Sequence, residues 1–149
     1  MDKRINSVLM AKYLLNKAYE KEIPMSMTKL QKMLYALDGV LLANDANVLN
    51  ENCRAWQYGP VYPKVFMYFR KEKDAYNKNF SDEDFSLIKN HNKSGLIDKA
   101  INLVIEKLGN HTGTELSNWS HAEGSPWSKT LRGSKIDKTL IKRYFRGEE

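Results

Sequence analysis

The segment Ala55-Trp56-Gln57-Tyr58-Gly59-Pro60-Val61-Tyr62-Pro63 limits the fold more than any other part of this chain. Its two large aromatics alternate with smaller residues, a period of two that marks a short strand. Gly59-Pro60 then predicts a sharp turn out of it. The rest of the sequence repeats with helical spacing. The expected fold is therefore mainly α, a single compact helical domain with a minor β element around residues 53–58. A rigid aromatic corner of this kind either wedges into the fold or presents an apolar surface to a partner.

The helical pattern begins at residues 6–20, where Val8, Leu9, Leu15, Ala18 and Tyr19 share a spacing. Asn6 can cap that start, and Ile5 can staple onto Met10. Ile23-Pro24 stops the helix. Ser26 caps a second one, in which Met27, Leu30, Met33, Leu34, Leu37 and Leu41 form a stripe. Gly39 inside it costs about 1 kcal/mol against alanine, which a close helix–helix contact would justify. Residues 44–52 are polar and turn-like. Pro63 suits the first turn of a short helix whose apolar side is Val61, Val65, Phe66 and Phe69. Residues 71–79 read as an exposed loop. Ser81-Asp82-Glu83-Asp84 reads as a helix start, its acids near the positive end of the dipole, and residues 90–94 break the pattern again. The clearest helix is 96–108, with Leu96, Ile97, Ala100, Ile101, Val104, Ile105 and Leu108 in register and Gly109 as a C′ stop. Thr112-Gly113-Thr114-Glu115 fits a capping box for a helix holding Leu116 and Trp119. Gly124-Ser125-Pro126-Trp127 turns the chain. The last helix is expected to start at Asp137, with Ile136 stapled to Ile141, and to bury Leu140, Tyr144 and Phe145.

A chain of 149 residues, 42% hydrophobic and 28% charged, can build one domain with a core of its own. It shows no internal repeat and no linker. No apolar run reaches bilayer length, and Met1-Asp2-Lys3-Arg4 leads into an amphipathic pattern rather than the apolar run of a signal peptide. The lone Cys53 reads as a small buried hydrophobe and allows no internal disulfide, so the default setting is reducing and cytoplasmic. The net charge of +6 gathers at the C-terminal end, where Lys129, Arg132, Lys135, Lys138, Lys142, Arg143 and Arg146 face mainly Asp137, Glu148 and Glu149. A solvated helix face is the simpler explanation, with a nucleic-acid surface as the alternative.

Catalytic, cofactor and metal signatures are absent. His121 and Glu123 form a His-x-Glu pair, but the Pro-Cys-x-x-Cys that completes a zinc deaminase site does not follow. A histidine hydrogen-bonding near a helix end explains His121 better, and an enzyme centred on His121 and Glu123 is the weakest functional reading. His91 and His111 have no ligand spacing to each other. No nucleophile elbow, Walker loop or dinucleotide fingerprint occurs. Trp56, Trp119 and Trp127 are expected in the core. Tyr58 and Tyr62 are open between core and surface, because a tyrosine's polar tip needs a partner or water.

Several segments together resemble one family. Thr28-Lys29-Leu30-Gln31-Lys32-Met33-Leu34-Tyr35-Ala36 is similar to the first signature helix of the SocA-like, or Panacea, antitoxin domain. Residues 55–63 resemble its Ala-Trp-x-Tyr-Gly-Pro-Val-x-Pro block. Leu116-Ser117, His121-Ala122-Glu123 and Ser125-Pro126-Trp127 resemble its third block. Val8 to Leu15 and Ile141-Lys142-Arg143-Tyr144-Phe145 resemble its opening and closing helices. Met33 and the run Ala36-Leu37-Asp38-Gly39 depart mildly from the pattern, and residues 70–95 match little. The resemblance implies a binding protein that neutralises a cognate protein toxin by direct contact. One known relative also delivers its toxin to a protease. A fused DNA-binding module, carried by some members, has no room here. Trp56, Tyr58, Gly59, Pro60, Val61, Tyr62, His121, Ser125, Pro126 and Trp127 are then the framework of a toxin-facing surface, or its contacts. Residues 70–79 and the basic last helix are rival interfaces, since specificity favours surface outside a shared motif.

Overall fold

The helical propensity read from the sequence becomes seven α-helices among the described residues: α1 (Ser7–Glu20), α2 (Met27–Ala43), α3 (Pro63–Phe69), α4 (Ser86–Lys89), α5 (Ser94–Leu108), α6 (Gly113–Ser120) and α7 (Lys138–Phe145). One antiparallel hairpin joins them, β1 (Arg54–Trp56) with β2 (Gly59–Val61). The computed structural model describes residues 3–148. Met1, Asp2 and Glu149, part of the terminal readings above, lie outside the described residues. Among those described, no helix is long and apolar enough to cross a membrane.

Local signals set the helix ends. The Asn6 side chain accepts from the Val8 and Leu9 N–H groups, and Ser26 accepts from Lys29 N–H. Thr112 and Glu115 form the reciprocal capping box. Asp137 caps α7 through Thr139 N–H at 2.8 Å, and Ile136 and Ile141 are both fully buried beside that cap. The start of α3 has no cap from its own N-cap residue. Glu51, distant in sequence, supplies it by accepting from Lys64 N–H at 2.8 Å and from the Ser7 hydroxyl at 2.6 Å.

Helix α2 is the axis of the molecule, in contact with α1, α3, α5, α6, α7 and β2. The predicted apolar stripe is real, but α2 is buried on its other sides as well. Lys29, Gln31, Lys32 and Asp38 are buried with the leucines and methionines. A helix surrounded by protein is ordinarily apolar all round. Here Lys29, Gln31, Lys32 and Asp38 each meet a main-chain or side-chain partner, whereas the Tyr35 hydroxyl and Asp38 Oδ1 are buried without a hydrogen bond. Lys29 Nζ donates to the Pro24 and Gly109 carbonyls at 2.9 and 2.6 Å. Gln31 exchanges bonds with the main chain of Tyr62, accepting at 2.7 Å and donating at 3.3 Å.

Several expectations are corrected. Gly59 and Pro60 do not turn the chain: they are the returning strand, paired with Trp56 and Ala55, and Gln57-Tyr58 makes the turn. The strand signal at 53–58 was half of a hairpin. A third segment completes its other side, with Ala55 N–H donating to Ser134 and Ile136 N–H to Cys53. The acids at 81–84 precede the short α4 instead of opening it; Asp84 accepts from Ser86 N–H, and Glu83 pairs with Lys12 at 2.7 Å. Residues 71–79 are not a free loop. They hold a 3-10 turn at Lys73–Asn77, in which Tyr76 stacks on Phe69 and Asn77 exchanges two bonds with the main chain of Met25. Residues 44–52 also send Ala46, Val48 and Leu49 into the core. Tyr19 is exposed. Gly109 caps α5 in the right-handed region, not as a left-handed stop. In α7 only Ile141 is buried, while Leu140, Tyr144 and Phe145 are partly covered.

Much of the charge at the basic C-terminal end is paired within the chain, at the surface for Lys142 and Arg146 and in the interior for Lys138. Lys142 and Arg146 both pair with Asp45, Arg146 Nε also donates to the Ala43 carbonyl at 2.9 Å, and Lys138 lies 3.9 Å from Asp38. The close contact anticipated at Gly39 is with α7. A Cβ there would sit 2.4 Å from the Phe145 ring.

Candidate functional site

The hairpin carries its motif residues in two directions. Gly59, Pro60, Val61 and Tyr62 face inward and are buried. Gly59 is required twice over: its φ of +119° favours glycine, and a Cβ would fall 2.5 Å from Ser120 Oγ and 2.7 Å from Lys32 Cε. The Pro60 carbonyl accepts from Lys32 Nζ at 3.3 Å. The Tyr62 hydroxyl donates to Asp38 Oδ2 at 2.8 Å. This tyrosine, left open by sequence, is fully buried.

These bonds anchor the corner on α2, and burial shows in the acid–base character of the groups. Loss of solvent holds the Lys32 ammonium down to about 8. Burial lifts the Asp38 carboxyl to about 6, against the opposing pull of Lys138 and the Tyr62 hydroxyl. The Cys53 thiol is pushed up by burial and then by Asp38. It is fully buried, as expected of a small hydrophobe, and a thiol so placed is not an activated nucleophile.

Trp56 and Tyr58 point the other way. Trp56 is half-buried and meets Phe66 edge-on at 5.2 Å. Tyr58 stands at the turn with 67% of its surface exposed, while its carbonyl accepts from the Ser117 hydroxyl. The tryptophans stand at the edge of the core and not at its centre: Trp119 and Trp127 pack against it while partly exposed, and Trp56 is half-buried. Aromatic side chains of this size cover the core from its margin.

The turn after α6 forms the second wall. Ser125 and Pro126 are buried, and Ser125 Oγ donates to the Ser120 carbonyl at 2.9 Å while accepting from Ser128 N–H at 3.2 Å. This pins Trp127, whose indole N–H donates to the Trp56 carbonyl at 2.6 Å. The Arg132 guanidinium lies 3.4 Å from the Trp127 ring centre, and the His121 ring lies against the Trp127 ring at 3.9 Å, tilted by 35°. His121 sits at the C-cap of α6, as expected of a histidine near a helix end; its ring meets the Gln57 main chain, while Nε2 is buried without a partner. Burial, then the charges of Lys32 and Arg132, hold its pKa down. Glu123 is exposed, and no group of three metal-ligating side chains occurs among the described residues.

The sequence motifs, separated by some sixty positions or more, thus meet. Ala55, Trp56, Gln57 and Tyr58 face Trp127, Arg132 and Gly133 across an open groove of about 810 Å³. Arg132, Lys32, Asp38 and Ser117 were not among the residues expected to frame this surface. The apolar neighbours of Lys32 and Asp38 on α2 carried the only hint of their burial.

A family model described as antitoxin SocA-like, Panacea domain, matches residues 30–128. Antitoxin SocA from Caulobacter vibrioides (strain NA1000 / CB15N) is 30% identical to this chain over 135 residues, covering 87% of the chain and 72% of that protein. No solved structure matches.

Proposed function

The chain belongs to the SocA-like antitoxin family defined by the Panacea domain, and on that premise we propose that it is the antitoxin of a toxin–antitoxin pair. In this reading residues 1–149 are a single domain that works in the cytoplasm and silences a cognate protein toxin by binding it. The observation that carries the reading is the family match over residues 30–128, which spans the central α2 axis, the hairpin and the Trp127 turn. The geometry supports a binder over a catalyst. Its buried polar groups fasten loops to α2, and its open aromatic face offers contact area. Inhibition is stoichiometric and turns over no substrate. Delivery of the bound toxin to a protease is a further step of the same proposal.

Co-expression with the neighbouring gene's product tests it. The parent chain restores growth that the toxin arrests. Val104 is buried in α5, and Val104→Asp places an unpaired charge in the core, unfolds the chain and abolishes rescue. Growth restored by a variant that circular dichroism shows to be unfolded contradicts inhibition by a folded surface.

A further inference from the structure

Resting on that antitoxin reading, we infer that the groove between the hairpin turn and the Trp127 turn receives an acidic segment of the toxin carrying an aromatic or aliphatic side chain at its centre. Trp56, Tyr58 and Trp127 give the groove an apolar, aromatic lining. An aromatic patch with an arginine has the composition of an interface hot spot.

The rim supplies the sign of the partner. Arg132 lines the groove, Arg54 donates to the carbonyl of the lining Gly133 and forms a β-bridge with Lys135, and residues 54–62 and 127–135 hold no aspartate or glutamate. Carboxylates flanking an apolar side chain match a cationic rim around an aromatic floor. The groove is also held in shape before binding. Trp127 is fixed by its indole bond and by Arg132 and His121, while the Tyr58 carbonyl is clamped by Ser117. Little conformational entropy is then lost on contact.

Single-stranded nucleic acid also stacks on aromatics, but it needs a cationic track along its backbone. Arg132 is the one cation lining this groove among the described residues, which makes no track for a phosphate backbone. A polypeptide anchor fits better.

The full chain is titrated with a synthetic peptide of two phenylalanines among aspartates, with its lysine counterpart, and with oligothymidylate, following the tryptophan indole N–H signals by NMR. The acidic peptide shifts the Trp127 signal, more weakly as salt rises. Tyr58→Ser and Arg132→Glu each weaken binding by about tenfold or more and lose growth rescue, whereas the exposed α5 control Lys107→Glu keeps it. Equal binding of the lysine peptide or of oligothymidylate overturns the inference. So does full rescue by folded Tyr58→Ser and Arg132→Glu, which removes the groove and leaves the antitoxin reading standing. Failure of the parent chain itself to rescue overturns both.

Discussion

Gly39 gives the sharpest test of how α7 is seated. In an open helix, glycine to alanine gains about 1 kcal/mol. Here the added methyl would lie 2.4 Å from Phe145 Cδ1 and Cε1 and 2.6 Å from Cγ, inside any real carbon contact. The ring must pivot, and Tyr35 and Trp119 hem it in edge-on at 5.4 and 6.3 Å. Overpacking of this kind costs about 1–3 kcal/mol, and each disturbed aromatic pair adds about 0.5–1.5 kcal/mol. The loss exceeds the helical gain, so Gly39→Ala destabilises the protein by about 1 kcal/mol or more. Urea unfolding followed by circular dichroism reads this as a lower midpoint with an unchanged slope. With Phe145→Ala in the background the obstacle is gone, and the same substitution stabilises by about 1 kcal/mol. That reversal of sign is the signature of direct contact. Stabilisation by Gly39→Ala in the parent chain refutes the reasoning.

Asp38 and Lys32 predict opposite pH responses. Asp38 titrates at about 6 in the fold against an ordinary 3.8, so the native state holds the proton longer, and stability falls as pH climbs from about 4 to about 6, by roughly 3 kcal/mol for this group. Asp38→Asn, which keeps an acceptor for the Tyr62 hydroxyl, removes that fall; parallel parent and variant profiles in urea unfolding contradict it. Lys32 titrates at about 8 against 10.5, so the fold gains stability as pH rises between those values. Lys32→Met removes that gain and relieves a cost of about 3 kcal/mol near pH 7, against about 1–3 kcal/mol for the unpaired Pro60 carbonyl. The variant is therefore about as stable as the parent or more so, and a loss above roughly 3 kcal/mol by thermal unfolding shows that the ammonium stabilises the fold.

The features legible in the sequence are those decided within a few residues. Asn6, Ser26, the Thr112–Glu115 box and Asp137 cap their helices as expected, because a cap is a local bond between a side chain and the next turn. Gly39 was legible as an anomaly, though not its partner, since Phe145 lies more than a hundred positions away. The environment of α2 was not legible. Lys29 and Lys32 on one side of the helix and Gln31 and Asp38 on the other are polar positions with no local partner until distant loops bring carbonyls and a hydroxyl to meet them. Gly59-Pro60 misled for the same reason: its unusual backbone serves close approach to Ser120 and Lys32 rather than a reversal. Of the candidate site, residues of both walls were visible, Trp56 and Tyr58 on one and Ser125 to Trp127 on the other, but not that they meet. The groove needed Arg132 and Gly133 opposite the hairpin, and no sequence spacing announces that meeting.

Apart from Asp38, which meets the Tyr62 hydroxyl and Lys138 through side chains, the polar spokes that radiate from α2 have one property in common. Pro24, Pro60 and Gly109 present only their carbonyls to the two lysines, and Tyr62 meets Gln31 through its main chain. A grip on the peptide backbone is indifferent to the lettering of the loop it holds. The outward side chains of these loops can be exchanged while the hub keeps each one at its station, so the molecule is a chassis on which a different recognition face could be mounted without redesigning the interior.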